Sequence, residues 1–171
     1  MNQDFETQLQ VVQRALADVV LPALSGAPGH VIEQLHLSMA ALGFMQQRLP
    51  HARRYYRQTL ASYGEMADAI AALLGDHDGT DDSGLRTLAQ HGRDVLDDPA
   101  ADEADYRRCT EHLRAKLAEV VAAAEGAPYE AALDAMILAR SAPILLQERI
   151  WCLPLGFELK PEDMPKPGWA R

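Results

Sequence analysis

Long apolar runs are absent from this chain, and no stretch reaches the roughly 18 residues needed to cross a bilayer. Cysteine is scarce. Cys109 and Cys152 fall on different predicted elements, form no C-x-x-C and have no metal-ligand spacing, which reads as two reduced thiols rather than a disulfide framework. Basic charge is also short: the net charge is −9 and the sequence pI is about 5.0. A duplex-binding surface needs clustered Lys and Arg to displace counterions, so nucleic acid is not expected as a partner. Anionic membranes are disfavoured for the same reason. The first residues, MNQDFETQLQ, lack a basic stretch followed by an apolar one, so no secretory leader is expected. A cytoplasmic location is the resulting expectation. Thr, Phe and Ile are sparse, which weighs against strands.

Ala and Leu are abundant, apolar residues make up 48% of the 171 residues, and apolar positions recur at helical spacing. The first helix is predicted from about residue 3 to the low twenties, with Phe5, Leu9, Val12, Leu16 and Val19 on one stripe. Pro22 and the run Ser25-Gly26-Ala27-Pro28-Gly29 stop it. A second covers about 30–49. Val31, Leu35, Met39, Leu42 and Met45 form one apolar face, and Leu37, Ala40, Ala41 and Phe44 much of the opposite one. A helix apolar on two sides is central, or lies between the domain and a second subunit. A third covers about 51–74, with Tyr56, Leu60, Tyr63, Ala67, Ile70 and Leu74 inward. After an acidic loop, a shorter helix carries Leu85, Leu88, Val95 and Leu96 and ends at Asp97-Asp98-Pro99. The next spans about 102–125, with Tyr106, Cys109, Leu113, Leu117, Val120 and Ala124 on one face. The last spans about 128–150, where Pro143 should introduce a kink.

These elements predict an all-α, single-domain helical bundle of five or six helices over residues 1–150. From Trp151 the period changes to two. Trp151, Leu153, Leu155, Phe157 and Leu159 would form one apolar row in an extended chain, and Pro154 and Pro161 forbid a regular helix. Residues 151–171 therefore read as an extended Pro-rich arm, packed on the bundle or on a second subunit. A homodimer is the expected assembly.

Glu33-x-x-His36 places a carboxylate and an imidazole on one helix face, as in di-iron bundles. No second Glu-x-x-His exists to complete such a site, so a polar pair at a helix interface is the competing reading and no metal is assigned. Asp76-His77-Asp78-Gly79-Thr80 has the outline of a phosphatase nucleophile motif. It follows a helix rather than a buried strand, and Gly79 comes too early for a calcium loop, so a solvated acidic loop is expected. Arg86 with His91 and Arg107 with His112 repeat the Arg-x4-His spacing of some helical ribonucleases, against an acidic surface.

The main basic cluster, Arg48, His51, Arg53, Arg54 and Arg57 interleaved with Tyr55 and Tyr56, lies at the start of the third helix. Cations there oppose the helix dipole, so an anionic counterpart is expected. It is either the protein's own acidic surface or a bound phosphate or carboxylate. Arg53, Arg54, Arg57 and Tyr56 are the candidate ligand-binding residues. No catalytic set and no cofactor is implied.

Val20-Leu21-Pro22-Ala23-Leu24-Ser25-Gly26, Leu73-Leu74-Gly75 and Leu113-Arg114-Ala115-Lys116-Leu117, in that order, resemble a family of short uncharacterised bacterial helical proteins. These are encoded beside aminoglycoside-phosphotransferase-like kinases and acyl-CoA dehydrogenases. The resemblance spans roughly two thirds of the chain, has no counterpart for the tail after Trp151 and supplies no catalytic residue. It implies an accessory role near acyl-CoA metabolism. The leading expectation is a non-catalytic accessory or scaffolding protein acting as an oligomer. The alternative is a bundle binding a small molecule, an anion or a metal, with a helical ribonuclease third.

Overall fold

A computed structural model describes residues 4–75, 77 and 83–167. It is all-α, with no strand among the described residues. We label the helices α1 (Phe5–Ala15), α2 (Gly29–Arg48), α3 (Ala52–Gly75), α4 (Ser83–Asp97), α5 (Glu103–Ala123) and α6 (Glu130–Cys152). No helix among the described residues is long and apolar enough to cross a membrane. Of the acidic loop, only His77 is described, with its ring 5.0 Å from that of Tyr129. The motif Asp76-His77-Asp78-Gly79-Thr80 otherwise lies outside the described residues.

The chain divides into two compact units. One is formed by the described residues up to His51 and from Arg149 on, the other by Ala52–Glu148.

The first unit is a helical hairpin with the chain's tail against it. Asp4 caps α1 by accepting from the Thr7 backbone N–H at 2.7 Å. The helix continues through a wider π turn, Leu16–Val20, into the short turn Leu21–Ala23. Gly26 then takes φ +87°, a left-handed backbone that suits glycine. α1 packs on α2, where the small Gly43 lets Gln13 approach: a Cβ at Gly43 would stand 3.3 Å from the Gln13 amide nitrogen. The expected stripe of α1 is only half used. Leu9 and Leu16 are half-buried, whereas Phe5, Val12 and Val19 remain exposed. On α2, Val31, Leu35, Met39 and Leu42 are half-buried, while Leu37, Ala40 and Ala41 face solvent. Phe44 meets Trp151 edge-on at 6.2 Å.

The tail differs from the sequence expectation. Trp151 and Cys152 finish α6, and Leu153–Leu155 form a 3-10 turn ended by Gly156 at φ +76°. Pro154 fits the start of such a turn because no N–H is needed there. The alternating row therefore does not form. Trp151 is buried and Leu153 half-buried, whereas Phe157 and Leu159 are 79% and 99% exposed. The arm proper begins after Gly156, not at Trp151. It is tied back by Arg149, whose Nε and Nη2 both donate to the Glu158 carboxylate at 2.8 Å.

The second unit is a helix bundle of α3, α4, α5 and most of α6. Leu60, Ile70, Leu74, Leu85, Tyr106, Leu113 and Leu133 are its largest fully buried side chains. Gly92 sits where α3, α4 and α5 converge, its Cβ position 3.4 Å from Leu60 and 3.7 Å from Leu113. α5 opens with a reciprocal cap: Asp102 accepts from the Ala104 and Asp105 N–H groups while the Asp105 carboxylate accepts from the Asp102 N–H. Pro143 lies inside α6, which continues on both sides of it.

Candidate functional site

The basic cluster finds its counterpart in backbone carbonyls. Arg57 donates to the Leu96 carbonyl at 3.0 Å, in the last turn of α4. Arg53 donates to the Ala101 carbonyl at 3.1 Å, its guanidinium 5.7 Å above the Tyr106 ring. Carbonyls at a helix C-terminus lack intrahelical donors and carry the negative end of the dipole, so Arg57 is well placed there, whereas the Ala101 carbonyl lies in the loop before α5. Arg86 of α4 donates to the Ala71 carbonyl in α3 at 3.0 Å. In the first unit Arg48 serves the Ile150 and Trp151 carbonyls at the end of α6. For Arg53 and Arg57 these contacts are neutral carbonyl dipoles, neither an acidic side chain nor a bound anion. Arg54 is exposed on α3.

Tyr56 belongs to a different constellation. It lines a cleft of about 140 Å³ with Tyr55 and Thr59 of α3, Arg107, Thr110, Glu111 and Arg114 of α5, and Glu148 of α6. A second cleft of about 250 Å³ is lined by Tyr63 and Met66 of α3, Arg114, Leu117, Ala118 and Val121 of α5, and Ile137 and Ser141 of α6. Arg114 borders both, so the two lie next to each other along one groove-like face of α3, α5 and α6. The register explains why. Tyr56 and Tyr63, Arg107, Arg114 and Val121, and Ser141 and Glu148 are spaced by seven, which keeps each set on one helix face. α3 and α5 run in the same direction along the groove and α6 runs opposite.

Buried polar groups underlie the polar end. Thr59 and Thr110 donate their hydroxyls to the carbonyls one turn back, Tyr55 at 2.9 Å and Tyr106 at 2.8 Å. Gln147 donates to the Thr59 hydroxyl at 3.0 Å. Above them Arg107 stacks 5.6 Å over the Tyr56 ring and Arg114 5.9 Å over the Tyr63 ring. Burial pushes the Tyr63 phenol up from its ordinary range, with Arg114 opposing and Glu148 reinforcing the shift. The phenol stays protonated at neutral pH. Neither arginine, nor Glu111 nor Glu148, is in an ion pair or side-chain hydrogen bond among the described residues.

Glu33 and His36 are both exposed on α2. Among the described residues no group of three His, Cys, Asp or Glu side chains is placed to hold a metal ion. His91 and His112 are exposed on α4 and α5. In the sequence Arg107 stands out only for its spacing to His112, and Glu111, Arg114 and Glu148 do not stand out as groove residues. Arg107 and Arg114 repeat at a spacing of seven beside an apolar stripe, as Tyr56 and Tyr63 do on α3, whereas Glu111 and Glu148 carry no such signal.

No family model, no curated protein and no solved structure matches this chain.

Proposed function

We propose that this chain is a non-catalytic accessory or scaffolding protein of the cytoplasm that works as a homodimer, with its N-terminal hairpin as the assembly surface. One observation carries the reading: no side chain between residues 4 and 51 is buried. Among the described residues, eleven of the fourteen large apolar side chains left exposed belong to the first unit. A pair of helices with no buried side chain gains too little from burial to offset the entropy of ordering it. Two such hairpins supply the four helices of a bundle, and an interface of this kind resembles a core cut in half.

The chemistry of the surface favours a second copy. Phe5, Val12 and Val19 recur every seven residues along α1 and its π turn, and Leu37 with Ala40 and Ala41 leaves a shallow apolar strip on α2. Large side chains on one helix facing small ones on another suit a two-fold, self-complementary contact. The sequence resemblance adds a setting beside acyl-CoA metabolism to the proposal. Size-exclusion chromatography with light scattering on the full chain is the test. The reading expects twice the 18.8 kDa chain mass. A mass of one chain at every concentration overturns it.

A further inference from the structure

The groove of the second unit carries charge it does not use internally. Arg107 and Arg114 lie within three or four positions of Glu111 on α5, close enough for helical ion pairs. They stack on Tyr56 and Tyr63 instead, and Glu148 enters from α6 without a cationic partner among the described residues. Two positive and two negative groups thus border one small cleft. A simple anion placed there meets two carboxylates, and a simple cation meets two guanidiniums. A ligand bearing both charges finds a partner for each. Beyond Arg114 the groove turns apolar, bordered by Met66, Leu117, Val121 and Ile137.

We propose that this groove binds a small amphipathic zwitterion: a carboxylate and an ammonium in the polar end, with an apolar group beyond Arg114. This is the chemistry of an apolar amino acid. Arg114, which borders both ends of the groove, takes the carboxylate, already oriented by Tyr63, since a stacked guanidinium loses less freedom on binding. Glu111 and Glu148 take the ammonium. The volume of the polar end suits a head group of a few heavy atoms, and the apolar end suits a branched or aromatic side chain.

Isothermal titration calorimetry on the full chain tests the assignment, with L-leucine and L-phenylalanine as probes. Three truncated probes dissect it: glycine lacks the apolar group, 4-methylpentanoate lacks the ammonium and 3-methylbutylamine lacks the carboxylate. Leucine or phenylalanine should bind, and each truncated probe should bind at least about tenfold more weakly. Shortening the side chain should weaken binding about fourfold per methylene. Arg114→Met should abolish binding, and Glu148→Gln should weaken it about tenfold. Both positions are outside the buried core, and far-UV circular dichroism checks that the variants fold. No heat from leucine or phenylalanine at about 10 mM overturns the proposal. So does equal binding of the truncated probes, or binding that survives both substitutions.

Discussion

Arg48 closes the end of α6 through Trp151. Its Nε donates to the Trp151 carbonyl at 2.7 Å, its Nη2 to the Ile150 carbonyl at 3.0 Å, and its guanidinium stands 5.4 Å from the centre of the Trp151 ring. One side chain at the end of α2 therefore caps a helix whose last turn lies about a hundred residues later. Arg48→Met should cost about 1–2 kcal/mol in chemical denaturation. Arg48→Lys should recover little of it, because an ammonium does not present a planar fork to two carbonyls while covering a ring. A lysine variant as stable as the parent would show that charge alone matters.

Gly64 lies inside α3 with nothing within 4 Å of its Cβ position. Glycine inside a helix is entropically costly, and here no neighbour requires it. Gly64→Ala should therefore stabilise the protein by about 0.5–1 kcal/mol. A loss of stability on denaturant titration would mean that this stretch of α3 needs the missing side chain.

The two thiols should react differently. Burial, followed by the nearby Asp105 charge, pushes the Cys109 thiol up from its ordinary range, with Arg108 opposing. Cys152 is half-buried at the end of α6. Iodoacetamide at neutral pH should label Cys152 first and Cys109 only as the protein unfolds, read by peptide mass spectrometry. Equal labelling of both in the native protein would contradict the packing of α5.

The helices could be read from the sequence because burial at helical spacing leaves a periodic trace. Leu60, Ala67, Ile70 and Leu74 on α3, and Tyr106, Cys109, Leu113 and Leu117 on α5, are buried where the period places them. The tail could not be read so. Alternation from Trp151 suggested an extended row, but Pro154 and Gly156 are equally good residues for a 3-10 turn and its left-handed stop. Period two carries no information about which local geometry wins. The groove was harder still. Tyr56 and Arg107 are far apart in sequence, and only the packing of α5 on α3 joins them. The basic cluster suggested an anionic counterpart, whereas Arg53 and Arg57 meet neutral backbone carbonyls, which have no residue type to betray them.

The arm should be held by a pH-sensitive contact. The Arg149 guanidinium beside Glu158 holds that carboxyl below its usual range. A carboxyl whose folded pKa is depressed contributes fully above its unfolded value, and the contribution disappears as pH falls through the folded value. Hydrogen exchange around residues 157–164 should therefore stay constant from neutral pH down to about 5, after correction for intrinsic rates, and rise below about 4.5. Glu158→Gln should show the faster exchange at neutral pH. Exchange in the parent that ignores pH across this window would separate the arm from the Arg149 contact.

Sedimentation velocity on three proteins tests the assembly most directly: the full chain, the pair Val19→Glu with Leu37→Glu, and Leu138→Glu. Val19 and Leu37 are 66% and 57% exposed on the hairpin, and Leu138 is 71% exposed on α6 in the second unit. Placing charge in an apolar contact is strongly unfavourable, whereas placing it in solvent costs little. The full chain and Leu138→Glu should sediment as dimers, and the hairpin double variant as a folded monomer. A monomeric full chain, or a hairpin variant that remains dimeric, would contradict assembly through the N-terminal helices.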